Sequence, residues 1–248
     1  MQEPAGKPAI MPNSYFRFKQ FTIHQERCGM KVCTDSCLFG AWTADRLNHA
    51  EKILDIGSGT GLLTLMLAQK NPGRYDAIEL DETAFDQSVE NIKASPWSAS
   101  INPIEGDVRT HNFNTHYDFI ISNPPFFESQ LRSPHRPKNR ARHDESLTLE
   151  ALVPIIRRLL KPTGAFSILL PFHRMDYFEE LAMSNGFFLQ EKLLIRQTSV
   201  HGPFRSVLLF AGAEPFSVSA QELSIRDKKG NETAELLQML EGYYLRGN

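Results

Sequence analysis

The chain has 248 residues, 41% of them hydrophobic, enough to bury the core of one full α/β domain with appendages. Its formal net charge of −2, with 23% charged residues, lacks the basicity of a dedicated duplex-DNA binder, so any nucleic-acid contact has to rest on local patches. Cys28, Cys33 and Cys37 match neither a disulfide framework nor zinc-ribbon spacing, no apolar run reaches the length of a membrane span, and no basic start precedes an apolar core; a cytoplasmic protein with no metal, signal peptide or membrane segment is expected.

Residues 1–14 hold Pro4, Gly6, Pro8, Pro12 and Asn13, the composition of a flexible arm. Residues 15–248 are expected to form a single domain, with 15–50 as a short N-terminal extension. Over 15–23, aromatic and polar residues largely alternate, as in a strand with one buried face. This stretch is either a small hairpin covering the core or, because Arg17 and Lys19 share the outward face, an edge that contacts RNA. Leu38, Phe39, Trp42 and Leu47 then make a helical stripe over 35–47, with Thr34 or Asp35 as its N-cap. The loop entering that helix can reach a ligand bound at the first core strand, so Thr34 and Asp35 are candidate cofactor contacts, with simple capping as the alternative.

Residues 52–56 read as a parallel strand, Gly57-Ser58-Gly59-Thr60-Gly61 as a turn, 62–70 as a helix and 75–80 as a second strand ending near an acid. A strand, a glycine loop, a helix and a strand closed by an acid bind an adenosine-containing cofactor. Glycines let the backbone approach the ligand, and Glu79, beside Leu80, can accept from both ribose hydroxyls. Asp81 or Glu82 caps a helix over 83–94 whose face is Phe85, Val89 and Ile92.

The spacing Gly57-x-Gly59-x-Gly61, with Asp55 two residues ahead, resembles the class I S-adenosylmethionine-dependent methyltransferases. That resemblance implies a Rossmann-like α/β fold with a seven-stranded, mostly parallel sheet flanked by helices. It places Asp55 near the methionine end of the cofactor and the glycines beneath it. After a third strand over 101–104, which Pro103 weakens, it also implies that Asp107 bonds the adenine amine with the backbone of Val108 nearby.

Tyr117-Asp118-Phe119-Ile120-Ile121 reads as a buried strand, and Pro124 and Pro125 stop it. Asn123 therefore sits at the carboxyl end of a strand, where open α/β sheets place ligands. This suits methylation of a planar exocyclic amine, whose lone pair is delocalised into its ring. The Asn123 side-chain oxygen and the Pro124 carbonyl can accept its N–H bonds and favour positive charge on the nitrogen, while Phe126 stacks on the base. The loop from Leu131 to His143 then carries Arg132, Arg136, Lys138, Arg140 and Arg142 with no acid among them. Leaving directly from the proposed base pocket, it is a candidate phosphate contact as well as a solvated loop.

Beyond it, a helix over 147–160 that is kinked or restarted at Pro154, a break at Lys161-Pro162-Thr163-Gly164, a strand over 165–170 and a helix over 175–184 are expected. Strands over 187–196, 206–210 and 222–225 and a helix over 232–244 complete the chain.

Residues 15–245 resemble the tRNA1(Val) adenine-N6-methyltransferases. The resemblance rests on Phe18-Lys19-Gln20-Phe21, Met30-Lys31-Val32-Cys33-Thr34-Asp35, Leu38-Phe39-Gly40-Ala41-Trp42, Leu54-Asp55-Ile56-Gly57-Ser58-Gly59-Thr60-Gly61, Asn91-Ile92 with Ser95-Pro96-Trp97, Ile121-Ser122-Asn123-Pro124-Pro125-Phe126 and Ala141-Arg142-His143. Cys33 departs from the family's Gly before Thr-Asp, and Phe126 replaces a frequent Tyr. The resemblance implies direct transfer from the sulfonium of S-adenosylmethionine to N6 of adenine 37 in the tRNA anticodon loop; a monomer with no obligate protein partner is expected. Methylation of a glutamine amide in a release factor and of an rRNA base amine are the alternatives. The glutamine enzymes carry a substantial helical N-terminal domain, for which residues 1–34 leave little room.

Overall fold

Parallel strands that are apolar along their whole length have to be covered on both faces. The three runs 52–56, 75–78 and 117–122 approach that character, being apolar but for Lys52, Asp55, Asp76, Asp118 and Ser122, and they lie side by side in the computed structural model, which describes residues 13–47, 49–125 and 147–245. The expected arm (but for Asn13 and Ser14), Phe126 and the five basic residues between 132 and 142 lie outside the described residues.

The chain opens with an antiparallel hairpin, β1 (Tyr15–Arg17) and β2 (Thr22–His24), turned over Phe18 to Phe21 by a bond from Phe18 N to Phe21 O of 2.9 Å. Phe18, Phe21 and Ile23 are buried in the main core, so the hairpin covers that core. The uninterrupted strand expected over 15–23 is broken because Phe18 and Phe21 both turn inward and stack, at 4.5 Å between ring centroids.

Eight strands form the main sheet, in the order β10 (Ser219–Arg226), β8 (Phe188–Thr198), β9 (Pro203–Ala211), β7 (Leu160–Pro171), β6 (Tyr117–Ser122), β3 (Lys52–Ile56), β4 (Arg74–Glu79) and β5 (Ile101–Glu105). Only the pairings of β9 with β7 and with β8 are antiparallel. The mixed, mostly parallel α/β sheet matches the expectation, with eight strands where seven were expected, β10 adding an edge parallel to β8. Pro103 is tolerated because β5 is the opposite edge, where a missing N–H breaks no ladder on the outer side.

Helices α1 (Thr34–Ala44) and α2 (Leu62–Lys70) pack together closely enough that a Cβ on Gly40 would stand 2.6 Å from Met66 Sδ. The N-cap of α1 is Cys33, without a side-chain capping bond, in place of Thr34 or Asp35; the Asp35 carboxylate is drawn instead to Arg205 on β9. Helix α3 (Glu82–Lys93) is capped by Asp81, whose carboxylate accepts from Ala84 N at 2.9 Å. Its buried face is polar, carrying Gln87, Ser88 and Asn91 beside Ile92, while Phe85 and Val89 are half-buried. The expected apolar face is displaced because α3 packs on the hairpin and the glycine loop through backbone groups that need polar partners.

Helix α4 (Leu149–Leu159) is capped by Thr148 and runs through Pro154 without interruption. Strand β7 starts directly after it; the expected break at 161–164 is absorbed as a register shift, with Tyr117 opposite Leu160 but Phe119 opposite Ala165. Helices α5 (Met175–Ser184) and α6 (Ala234–Leu240) follow. Residues of α1, α2 and α6 share one core cluster with the hairpin, and residues of α4 and α5 the other. No helix among the described residues is long and apolar enough to cross a membrane.

Candidate active site

Register aligns the ends of the central strands. Ile56 lies opposite Ile78 on β4 and Ser122 on β6, and Glu79 lies opposite Glu105 on β5. Gly57, Leu80, Gly106 and Asn123 thus start their loops from one rim, at the point where the strand order turns from β3 towards β4 on one side and β6 on the other. The loops are stitched together: Gly57 N and Ser58 N donate to Ile78 O at 2.9 and 3.1 Å, Gly106 N donates to Glu79 O at 2.9 Å, and Ser122 Oγ donates to Ile56 O at 2.9 Å.

Gly57, Gly59 and Gly61 all have positive φ, at 73°, 56° and 80°, the conformations that favour glycine. Apart from the adjacent residues of the chain, no heavy atom of the described residues lies within 4 Å of where a Cβ would stand on Gly57 or Gly59, so this face of the loop is open to a ligand. Asp55, 1% exposed, lies beneath. Thr64 Oγ1 donates to its Oδ2 at 2.6 Å, while its Oδ1 is buried with no hydrogen-bond partner among the described residues. Burial pushes the Asp55 carboxyl up to about 7. Ser58 Oγ is likewise buried and unpartnered.

The Glu79 carboxylate accepts from Gly59 N at 2.8 Å and from Leu80 N and Asp81 N at 2.9 Å each. It fixes the glycine loop and its own turn at once. The Asp107 carboxylate accepts from Arg109 Nε at 2.9 and 2.8 Å and from Arg109 N at 2.9 Å, and the Arg109 side chain holds it below the usual carboxylate range. A carboxylate has about four lone-pair sites, so Glu79 keeps acceptor capacity for a ligand, whereas Arg109, whose Nη2 also lies 2.6 Å from Asp107 Oδ2, occupies both oxygens of Asp107. Val108 is buried in the same core cluster as Ile120 and Leu152, and its carbonyl accepts from Arg158 Nη2 at 3.3 Å.

Asn123 leaves β6 beside buried Pro124 and exposed Pro125. Its Nδ2 donates to Ser36 Oγ at 3.3 Å and lies 4.0 Å from Met30 Sδ. Its Oδ1 is buried and has no partner among the described residues. Buried side-chain oxygens are normally paired; this one, at the carboxyl end of a central strand, is an acceptor that no described residue satisfies.

The structure thus gathers Asp55, the three glycines, Glu79, Leu80, Asp107, Val108, Asn123, Pro124 and Pro125 at one rim. Asp35 reaches the same side but its carboxylate is occupied, by Arg205 Nε at 3.0 Å and by Ser36 N at 3.1 Å, and Thr34 begins α1. Sequence reasoning missed three residues. Thr64 bonds Asp55; its signal is a lone hydroxyl inside the apolar 62–68 run. Ser36 bonds Asn123, and no pattern marks it. Asn91 donates to Thr60 O at 3.0 Å and exchanges two bonds of 2.9 Å with the His24 backbone, tying the hairpin to the glycine loop.

Residues 38–173 match the family model described as "Methyltransferase small domain". The chain is 43% identical over 238 residues to the tRNA1(Val) (adenine(37)-N6)-methyltransferase of Dyadobacter fermentans, covering 94% of this chain and 98% of the relative. It is 40% identical over 233 residues to the enzyme of the same name from Tolumonas auensis, covering 93% and 97%. In fold it is similar to a predicted O-methyltransferase from Agrobacterium tumefaciens, with a TM-score of 0.61 at 16% identity, over 84% of this chain and 96% of that one.

Proposed function

The chain belongs to the tRNA1(Val) (adenine(37)-N6)-methyltransferase family, and from that premise we propose how its own residues serve the reaction. It is an S-adenosylmethionine-dependent enzyme that methylates N6 of adenine 37 in tRNA1(Val). The observation that carries the site is the buried Oδ1 of Asn123 at the end of β6, unpartnered among the described residues.

When bound, S-adenosylmethionine supplies an electrophilic methyl group. The open face of the glycine loop and the orphaned Asp55 and Ser58 oxygens fit such a ligand. Asp55 serves its methionine end, Glu79 the ribose and Asp107 the adenine amine. The Asn123 Oδ1 and the Pro124 carbonyl accept the two N–H bonds of the target amine. As the amine becomes positive these bonds strengthen, so they act more on the transition state than on binding. Pro124 has a fixed φ, which holds the acceptors in place before the substrate arrives. Being buried, the Asn123 oxygen acts in a medium where its dipole is little screened.

From the sequence, Phe126 stacks on the extruded base, and Arg132, Arg136, Lys138, Arg140 and Arg142 contact tRNA phosphates. An anticodon-loop base is inexpensive to unstack. Residues 15–248 act as one domain and, with both halves of the site on one chain, as a monomer in the cytoplasm, where tRNA is found.

Incubation with labelled S-adenosylmethionine and, separately, total tRNA, rRNA and release factor tests this reading. Label recovered as N6-methyladenosine from tRNA alone is expected. Label in the release factor or rRNA alone would overturn it.

A further inference from the structure

An asparagine amide is nearly symmetrical in shape and wholly asymmetrical in chemistry. With Oδ1 towards the target it accepts from the amine; turned over, it sets its own N–H donors against the amine's N–H donors. Any role for Asn123 as an acceptor therefore requires a device that selects one face, and the surroundings of Nδ2 contain one.

We propose that Ser36 is a positioning residue that sets the direction of the Asn123 amide. Its Oγ accepts from Asn123 Nδ2 at 3.3 Å, and Met30 Sδ lies 4.0 Å from the same nitrogen. A thioether has no hydrogen to donate, so it tolerates an NH2 group and disfavours an amide oxygen. A serine hydroxyl alone would accept either orientation. Here Ser36 Oγ also lies 3.0 Å from Cys33 Sγ, a pair in which either group can donate; with the hydroxyl as donor, its proton points away from Asn123 and its lone pairs face the amide. The two neighbours together admit nitrogen on their side and send oxygen to the other.

Ser36 is itself held firmly. It is buried in the first turn of α1, and its backbone N–H donates to Asp35 Oδ1 at 3.1 Å. Asp35 Oδ2 receives Arg205 Nε at 3.0 Å, and Arg205 lies opposite Pro171 at the carboxyl end of β7, the strand beside β6. An ion pair to the sheet thus anchors the helix end that carries the orienting hydroxyl, at the same rim as Asn123. This also gives Asp35 and the loop 28–33 a task that does not require contact with any ligand.

The role rests on the reading of Asn123 as the amine acceptor, so its test uses both residues. Alanine suits a helix better than serine, so Ser36→Ala should fold, which its melting temperature checks. In single-turnover methylation at saturating S-adenosylmethionine and tRNA, Ser36→Ala should lower transfer about tenfold, the scale of one lost hydrogen bond. Affinity for both ligands should be unchanged. In an Asn123→Ala background the same substitution should have no further effect, a silence that a merely structural role would not produce. Full transfer in Ser36→Ala, or an equal loss in both backgrounds, overturns the positioning role and leaves Asn123 standing. Full transfer in Asn123→Ala overturns the acceptor itself.

Discussion

The aromatic cluster between α5 and the sheet and the rim where β3, β4 and β6 end both bury side chains, yet they are built from opposite materials. In the cluster, Phe166 and Phe210 stack at 5.1 Å with planes 14° apart, and Phe178 and Phe187 meet Phe166 edge-on at 6.4 and 5.0 Å. None of these side chains has a polar atom to satisfy, so all of their burial stabilises the fold. At the rim, Asp55 Oδ1, Ser58 Oγ and Asn123 Oδ1 are buried without partners, while only three more such oxygens, at Gln69, Ser88 and Ser206, are spread over α2, α3 and β9 among the described residues. An oxygen that stays buried without a bond costs free energy, which returns when a ligand supplies that bond. One region holds the sheet in shape and the other spends some of that stability on binding.

If that division is real, substitutions should separate cleanly by region. The largest effect is expected at Phe166→Ala, a loss of about 3–5 kcal/mol in unfolding free energy by denaturant titration. The molecules that remain folded should bind S-adenosylmethionine normally; a variant of native stability with weakened cofactor binding would break the comparison. Next is Glu79→Ala, which should weaken cofactor binding by about 1–3 kcal/mol in calorimetry. Its effect on unfolding should be smaller, because the N–H groups of Leu80 and Asp81 that it holds are exposed enough for water to replace it. Unchanged cofactor affinity would remove Glu79 from the site.

A pH dependence sharpens the rim side. Burial raises the Asp55 carboxyl from 3.8 to about 7, so between those values the folded protein keeps a proton that the unfolded chain has lost. Stability of the ligand-free protein then falls as pH rises through that window, by at most about 1.4 kcal/mol per pH unit. Asp55→Asn cannot ionise. Its melting temperature relative to the native protein should climb from about pH 4 to about pH 7 and level off above. A gap that stays constant with pH would mean that Asp55 does not titrate as a buried carboxyl.

Much of this arrangement was legible from residue order. The strand and helix limits at 52–56, 62–70 and 175–184 follow from apolar runs bounded by glycine, proline or charge, and the structure keeps them unchanged. Glu79 and Asn123 could be placed at the rim because each stands at the end of a strand, and Asp55 and Asp107 because the resemblance sets them beside the glycine loop and the third strand; a parallel sheet brings those strand ends together whatever lies between them. What was not legible depends on contacts across long separations. Asp35 looks like a cap until Arg205, 170 residues later, claims its carboxylate. Ser36 has no pattern of its own and acquires meaning only when Asn123 arrives 87 residues on. The break expected at Pro162 and Gly164 was misplaced because a neighbouring strand can absorb extra residues as a register shift, which no local pattern announces.

The central claim is that the Asn123 oxygen accepts from the target amine most strongly as charge develops on it. Single-turnover methylation of tRNA by Asn123→Ala, at saturating cofactor and tRNA and with both affinities measured separately, tests it most directly. Transfer should fall by roughly a hundredfold or more while both affinities hold, the signature of an interaction made chiefly in the transition state. An Asn123→Ala enzyme that transfers methyl at the native rate, or one whose loss is wholly a loss of tRNA affinity, would contradict it.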